Sequence, residues 1–271
     1  MYLRAAVFGG LLDRVVWSKI IGGTTEPDEA IIRLTPEHAR AIGAFVKGGF
    51  PFCTGTLIAP RVVLTAAHCG VDPGEWFKSG RDTDAAETSA RVSAVARHPN
   101  YRGGASGFDF ALVYLDRDLS AEPLPVGGPP EPGELVQTAG YGRTDAALPG
   151  NKERWWLVEE VVAVAPGEFS VAMGGMHGQC MGDSGGPALA MRGDKPVVVG
   201  TVSHGDPACV GVDFYARPDS ATDWIAGQIA AWKAAPPKPP PPVEKAGVGW
   251  VIGLLAVGLA VGLVVHGMKE A

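Results

Sequence analysis

The sequence predicts an all-β fold for the larger part of the chain. Between residues 20 and 219, short runs of β-branched and other apolar residues alternate with Gly, Pro and Asp, as in antiparallel strands joined by turns. Such runs are 56–58, 61–64, 111–115 and 196–202. The 271 residues, of which 46% are hydrophobic, suffice for a β domain of more than roughly 200 residues.

The spacing of apolar residues becomes helical at the end of this part. Within 220–232, Trp224, Ile225, Ile229 and Trp232 fall on one side of a helix. We therefore expect one helix to close the domain.

The composition changes after residue 232. Residues 233–245 contain six prolines and are expected to form an extended spacer, which at about 3.1 Å per residue would reach up to about 40 Å. Residues 246–265 are apolar and uncharged, long enough for one transmembrane helix, and 266–271 form a short tail. Two such helices could pack as a homodimer through the glycine pairs Gly249/Gly253 and Gly258/Gly262.

The first nineteen residues do not belong to the β pattern. Residues 1–19 contain Arg4 and an apolar patch over 5–12, but no clear cleavage site with small residues. We interpret 1–19 as a propeptide or a weak targeting segment, and both interpretations stay open.

Charge and cysteine spacing exclude several classes of function. The net charge of −6 gives no basic patch for a nucleic acid. Four cysteines are present, none in a Cys-x-x-Cys spacing, so neither a metal site nor a redox site is expected. Two disulfides are plausible, and three pairings are open for Cys53, Cys69, Cys180 and Cys209.

Three separated motifs carry the residue types of nucleophilic catalysis. His68 ends the run Leu-Thr-Ala-Ala-His, Asp109 lies in Gly-Phe-Asp-Phe-Ala-Leu, and Ser184 lies in Cys-Met-Gly-Asp-Ser-Gly-Gly-Pro. A serine hydroxyl attacks a carbonyl only when a base removes its proton and a carboxylate orients that base. With these motifs in the order His, Asp, Ser, the chain resembles the trypsin/chymotrypsin family of serine endopeptidases from Ile20 to about Trp232.

The resemblance implies an architecture and a disulfide pattern. It implies a protease domain over 20–232, built from two six-stranded antiparallel β-barrels, about 20–120 and 121–219, with the catalytic cleft between them. It also implies the pairs Cys53–Cys69 and Cys180–Cys209, which would form in an oxidising compartment.

The family's catalytic roles carry over to matching positions. Ser184 would be the nucleophile, His68 the base and then the acid, and Asp109 the residue that orients the imidazole. The backbone N–H groups of Gly182 and Ser184 would form the oxyanion hole. No cofactor is expected.

A further motif, Lys19-Ile20-Ile21-Gly22-Gly23, resembles the junction at which zymogens of this family are cleaved. Cleavage after Lys19 would free Ile20, whose new ammonium group would pair with Asp183 beside the nucleophile and order the oxyanion loop.

The expected specificity pocket departs from the usual trypsin pattern. Gly178 stands where trypsin-like enzymes carry the aspartate of the pocket base, whereas Asp213 stands where the family usually has a glycine on the facing wall. A carboxylate there would favour Lys or Arg before the scissile bond, with chymotrypsin-like or elastase-like preference as the alternative. The run Ser203-His204-Gly205 resembles the family's Ser-Trp-Gly edge segment, which implies that it pairs with the substrate backbone and that Gly205 leaves the pocket mouth open.

Together these features predict a membrane-tethered serine endopeptidase that hydrolyses protein or peptide substrates. The alternative is a catalytically inactive, protease-like binding module on the same stalk. The disulfides favour an extracytoplasmic catalytic domain, whereas Lys233, Lys238 and Lys245 on the domain side of the span favour the cytoplasm. We give the cysteine framework more weight.

Overall fold

A computed structural model of the chain describes residues 23–104, 107–144, 151–172 and 177–242. Within them lie twelve named strands, two α-helices and two short 3₁₀ turns. The strands form two closed antiparallel barrels of six strands each.

The first barrel contains the strands of the N-terminal half. They are β1 Ile42–Lys47, β2 Phe50–Ala59, β3 Val62–Thr65, β4 Trp76–Ser79, β5 Thr88–Arg97 and β6 Ala111–Leu115. Their order around the barrel is β1-β2-β3-β6-β5-β4. Pairing register shifts in β1, β2 and β5, and such bulges bend long strands enough for a small barrel to close.

The second barrel repeats this arrangement. Its strands are β7 Leu135–Gly140, β8 Trp155–Ala165, β9 Glu168–Ala172, β10 Pro187–Arg192, β11 Lys195–His204 and β12 Val212–Ala216, in the order β10-β11-β12-β9-β8-β7. Each barrel is filled by inward-facing apolar side chains. Phe45 packs on Phe77 in the first, with ring centroids 5.1 Å apart, and Phe169 stacks on Tyr215 in the second at 5.0 Å.

Helices occur only around the barrels in the described ranges. The four-residue helix α1 spans Pro36–Ala39, and α2 spans Thr222–Ala234 after a 3₁₀ turn at Pro218–Ala221. Trp232 of α2 packs against Tyr114 of the first barrel, with ring centroids 5.5 Å apart. The predicted fold of two antiparallel barrels and a closing helix is confirmed, and α2 ends two residues later than the 220–232 pattern indicates.

Several predicted features lie in segments outside the described residues. In the ranges that the structure describes, no helix combines the length and the apolar character needed to cross a bilayer. The segment 246–265, its glycine pairs, residues 1–19 and Ile20 lie outside the described residues.

Candidate active site

His68 and Asp109 meet because their strands are neighbours. His68 lies in the 3₁₀ turn Ala67–Cys69 that follows β3, and Asp109 lies two residues before β6, which pairs with β3. Asp109 Oδ2 lies 2.6 Å from His68 Nδ1, and Asp109 Oδ1 accepts the backbone N–H of His68 over 2.9 Å. A carboxylate oxygen at Nδ1 requires the proton to sit on that nitrogen, so Nε2 is the atom left to act as a base.

Asp109 is buried and ionised. Burial opposes ionisation, but hydrogen bonds from His68 and from the Ser203 hydroxyl hold the pKa of Asp109 below its usual value. The Ser203 bond spans 2.7 Å and comes from β11 of the second barrel. The sequence predicts Ser203 only at the substrate backbone, whereas in the structure its hydroxyl stabilises the ionised form of Asp109.

The loop that carries Asp109 is fixed by aromatic packing. The ring of His98 stacks on the ring of Phe108, with centroids 4.8 Å apart. The backbone N–H of His98 donates to the carbonyl of Phe110 over 2.9 Å. Trp224 of α2 meets the same imidazole edge-on at 4.8 Å. The closing helix therefore supports the segment on both sides of Asp109.

Ser184 lies in the loop before β10 and is anchored to the first barrel. Its carbonyl accepts the backbone N–H of Thr54 over 2.8 Å and lies 3.6 Å from Cys69 Sγ, beside His68. The next residue, Gly185, has a φ of +82°, and a Cβ there would lie 2.0 Å from Thr65 Oγ1. Only glycine lets the loop approach the first barrel this closely.

Gly182, Asp183 and Ser184 form the candidate oxyanion segment. Asp183, at its centre, is fully buried. Asp183 Oδ1 accepts the N–H of Gly142 over 2.8 Å, and Oδ2 accepts the N–H of Cys180 over 2.9 Å. Burial raises the pKa of Asp183 to about 7, and these two bonds lower it only in part. Gly182 has a φ of +105°, and a Cβ there would lie 2.9 Å from the Cα of Gly142.

A cavity of about 160 Å³ opens beside Ser184. Asp213 is one of its lining residues, with Oδ2 accepting the N–H of Gln179 over 2.7 Å and Oδ1 lacking a hydrogen-bond partner among the described residues. Burial raises the pKa of Asp213 to about 6, and the charge of Asp206 adds to the rise. A Cβ at Gly205 would lie 1.9 Å from Oδ1, and one at Gly178 would lie 3.1 Å from Oδ2. Both glycines thus make room for the carboxylate.

Two disulfides frame the site. Cys53 is bonded to Cys69 beside His68, and Cys180 is bonded to Cys209 beside the cavity. The pairing implied by the resemblance is confirmed. Cys53, Cys69 and His68 lie close enough to suggest a metal site, but both sulfurs are consumed in the first disulfide and are not available as thiolate ligands.

Comparisons with known proteins decide the family. The model of the Trypsin family matches residues 33–225. The chain belongs to the trypsin family.

Individual members of the trypsin family match most of the chain. A trypsin of Squalus acanthias is 33% identical over 223 residues, which cover 72% of this chain and 93% of that protein. A trypsin of Saccharopolyspora erythraea is 30% identical over 224 residues, covering 72% and 94%. A protein of Phytophthora infestans named glucanase inhibitor protein 3 is 29% identical over 237 residues, covering 79% and 89%.

A solved structure shows the same fold. Neuropsin, a serine protease expressed in the limbic system of mouse brain, is similar with a TM-score of 0.64 and 20% identity, over 73% of this chain and 98% of that one. With this family and fold, the chain is a trypsin-family serine endopeptidase.

Sequence reasoning missed a buried acid behind the pocket of this trypsin-family domain. Glu159 of β8 accepts hydrogen bonds from the Tyr215 hydroxyl and from Gln179 Nε2, the latter over 3.2 Å. Gln179 Nε2 also donates to Thr138 Oγ1 over 2.8 Å. Burial raises the pKa of Glu159 to about 8, and the charge of Asp213 adds to the rise. The alternation of β8 could have placed Glu159 inward, because Leu157 and Val161 share its side of the strand.

Proposed function

We propose that this endopeptidase cleaves peptide bonds with Ser184 as nucleophile, His68 as general base and Asp109 as the residue that orients His68. The observation that carries the proposal is the double hydrogen bond from His68, through Nδ1 and the backbone N–H, to a buried and ionised Asp109. This arrangement fixes the tautomer that exposes Nε2 as a base.

The acylation step follows from these roles. As the Ser184 oxygen attacks the substrate carbonyl, His68 Nε2 takes the hydroxyl proton and then delivers it to the leaving amine, so that an acyl-enzyme and a free amine result. Water then attacks the acyl-enzyme while His68 takes its proton, the ester bond to Ser184 breaks, and His68 returns the proton to the Ser184 oxygen as the peptide acid leaves. The N–H groups of Gly182 and Ser184 would stabilise the negative oxygen, each for a few kcal/mol.

The proposed substrates carry Lys or Arg before the scissile bond. Asp213 is almost fully buried in the lining of the cavity, and its unpartnered Oδ1 supports a cationic side chain as the missing partner, since a buried carboxylate without one is costly. A peptide library tests this. We expect a Lys or Arg preference that Asp213→Asn abolishes; no basic preference in the wild type would contradict the proposal.

We also propose activation by cleavage after Lys19. Asp183 supports this, because a fully buried carboxyl group whose pKa is raised to about 7 is incompletely stabilised by two backbone amides, and the ammonium group of Ile20 would complete its partners. Uncut and cut chains should be compared with one peptide substrate. Equal rates would contradict the proposal.

Membrane tethering through 246–265, with an extracytoplasmic catalytic domain, completes the proposal. Its support is the apolar, uncharged run in the sequence and the two disulfides. Cell fractionation and protease protection of the catalytic domain test it. Recovery of the full chain without membranes, or a catalytic domain shielded on the cytoplasmic side, would contradict it.

A binding module without catalysis is the second candidate, because one relative is named a glucanase inhibitor. The ionised Asp109 bonded to His68 favours the enzyme, since binding alone does not need an oriented base. Covalent labelling of Ser184 by a fluorophosphonate separates the two, because only an activated serine reacts.

A further inference from the structure

Thr54 of β2 makes four polar contacts, three of them with residues of the second barrel. The residue is fully buried, and it follows Cys53 in the strand that leads away from the first disulfide. It belongs to the first barrel, whereas the loop of Gly182 and Ser184 precedes β10 of the second. None of the expected catalytic roles uses this threonine.

The contacts of Thr54 reach both ends of the candidate oxyanion segment. Its hydroxyl donates to the carbonyl of Gly182 over 2.8 Å, and its backbone N–H donates to the carbonyl of Ser184, also over 2.8 Å. The two carbonyls flank Asp183. A single residue of the first barrel therefore fixes the backbone on both sides of the buried acid.

The same hydroxyl is itself held in place. Thr54 Oγ1 accepts the backbone N–H of Tyr141 over 3.1 Å, so the hydroxyl hydrogen points away from Tyr141 and toward Gly182. The carbonyl of Thr54 accepts the hydroxyl of Thr65 over 2.7 Å. With donor and acceptor both used, the side chain has one orientation that satisfies all partners, and a buried network of this kind is rigid.

Gly182 is the residue that most needs such a restraint. A glycine at a φ of +105° has no Cβ to limit its backbone, so the peptide groups on either side can rotate at low cost. The Gly182 N–H must point into the cleft if it is to meet a developing oxyanion. The peptide that carries this N–H is held by the Arg143 N–H, which donates to the Met181 carbonyl over 2.8 Å, and the Thr54 hydroxyl holds the peptide on the other side of Gly182.

We propose that Thr54 is a positioning residue, which holds the Gly182–Ser184 backbone from the opposite barrel in the shape that directs the Gly182 and Ser184 amides at the substrate oxygen. The inference rests on the proposed function, since it assigns a holder to the oxyanion hole proposed there.

The test compares variants of the full chain after cleavage at Lys19. Thr54→Val keeps the shape of the side chain and removes the hydroxyl. We expect kcat to fall about tenfold to a hundredfold with KM within about twofold of the wild type, because a displaced oxyanion donor is lost only in the transition state. The affinity for a peptide boronate, which forms a tetrahedral adduct, should fall by a similar factor, whereas the affinity for the product peptide acid should stay within about twofold.

Thr56→Val is the matched control. Thr56 lies two residues along β2 and is equally buried, but its hydroxyl has no hydrogen-bond partner among the described residues. Its loss should leave kcat and boronate affinity within about twofold. Thr54→Ser and Thr54→Ala form a second comparison in case the valine variant does not fold, because both lack the methyl group and only serine keeps the hydroxyl. We expect serine to retain at least about a third of kcat and alanine to match valine.

Each outcome decides the inference. A Thr54→Val or Thr54→Ala enzyme with wild-type kcat and boronate affinity would overturn it, as would a serine variant as slow as alanine. If Thr56→Val were as slow as Thr54→Val, the effect would be one of strand packing and the inference would fail. A wild-type chain that neither hydrolyses peptides nor labels with a fluorophosphonate would overturn the proposed function itself, and the role of Thr54 with it.

Discussion

The Ser203 hydroxyl donates a hydrogen bond to Asp109 Oδ2 over 2.7 Å, and thereby joins a strand of the second barrel to a buried acid that precedes β6 of the first. The same oxygen lies 2.6 Å from His68 Nδ1. Asp109 Oδ2 is therefore shared between the imidazole and a residue that lines the cavity beside Ser184. This links the position of His68 to the packing of the two barrels against each other.

Loss of this hydroxyl should slow catalysis more than it weakens substrate binding. For Ser203→Ala we expect kcat to fall about tenfold to a hundredfold, because a hydrogen bond to a charged group contributes about 1.5–3 kcal/mol. Steady-state kinetics of the wild type and the variant measure kcat and KM. Ser93→Ala is the control, since the buried Ser93 hydroxyl has no partner among the described residues. Equal kcat for wild type and Ser203→Ala would show that the bond does not matter to the reaction.

The preference for basic residues should depend on pH through Asp213. Its carboxyl group, with a pKa raised to about 6, is charged above that pH and neutral below it. Gln179 donates its N–H to this carboxylate, and the charges of Asp206, Asp183 and Glu159 interact with that of Asp213. We expect the ratio of kcat/KM for a Lys peptide to that for a matched apolar peptide to fall about tenfold per unit below about pH 6.

The ratio isolates Asp213 because titration of the catalytic groups affects both peptides equally. In Asp213→Asn, the ratio should be low and independent of pH. A wild-type ratio that stays constant from pH 5 to pH 8 would mean that another group recognises the basic side chain.

Glu159 should make the protein less stable as the pH rises. The folded-state pKa of Glu159, about 8, lies above the ordinary value of 4.5, so the folded protein holds more protons than the unfolded chain between these values. The free energy of unfolding must then decrease as the pH rises through this window. We expect Glu159→Gln to be more stable than the wild type at pH 9, by an amount on the order of a few kcal/mol, with little difference at pH 4.

Urea unfolding at pH 4 and pH 9, with disulfides intact, measures this difference. Glu160→Gln is the matched control, because Glu160 is the next residue of β8 and is exposed. Asp183 and Asp213, with raised pKa values of about 7 and about 6, also contribute to the pH dependence of stability. Both residues are present in the wild type and in Glu159→Gln. Equal stability of wild type and Glu159→Gln at pH 9 would contradict the account.

The Cys180–Cys209 disulfide should support the pocket as well as the fold. Its loss in the double variant Cys180→Ala, Cys209→Ala should lower the free energy of unfolding by about 3–4 kcal/mol, as expected for a loop of this length. We also expect KM to rise, since both cysteines line the cavity. Unfolding and steady-state kinetics test the two effects. An unchanged KM would show that the disulfide contributes to stability but not to substrate binding.

Much of the fold follows from local sequence. The β-branched runs between Gly, Pro and Asp indicated strands, and the spacing of Trp224 and Trp232 indicated α2, because strand and helix periods are properties of short segments. The closure into two barrels came from the family resemblance. Barrel closure depends on register shifts between distant strands, which composition does not reveal.

Residues of the candidate active site could be predicted from the sequence where they lie within a family motif. The His68, Asp109 and Ser184 motifs pointed to one place, and the structure brings His68 and Asp109 into direct contact. Thr54 and Glu159 were missed, since each acts through partners far away in the sequence: Thr54 through Gly182, and Glu159 through Tyr215. A threonine or a glutamate in a strand carries no local sign of such partners.

The reactivity of Ser184 toward a fluorophosphonate, after cleavage at Lys19, tests the central claim most directly. Peptide mapping should locate the label on Ser184, and His68→Ala should slow labelling by at least about a hundredfold, because the serine then lacks its base. Thr56→Val should label like the wild type. A wild-type chain that does not react, or a His68→Ala chain that reacts as fast as the wild type, would contradict the proposed catalytic machinery.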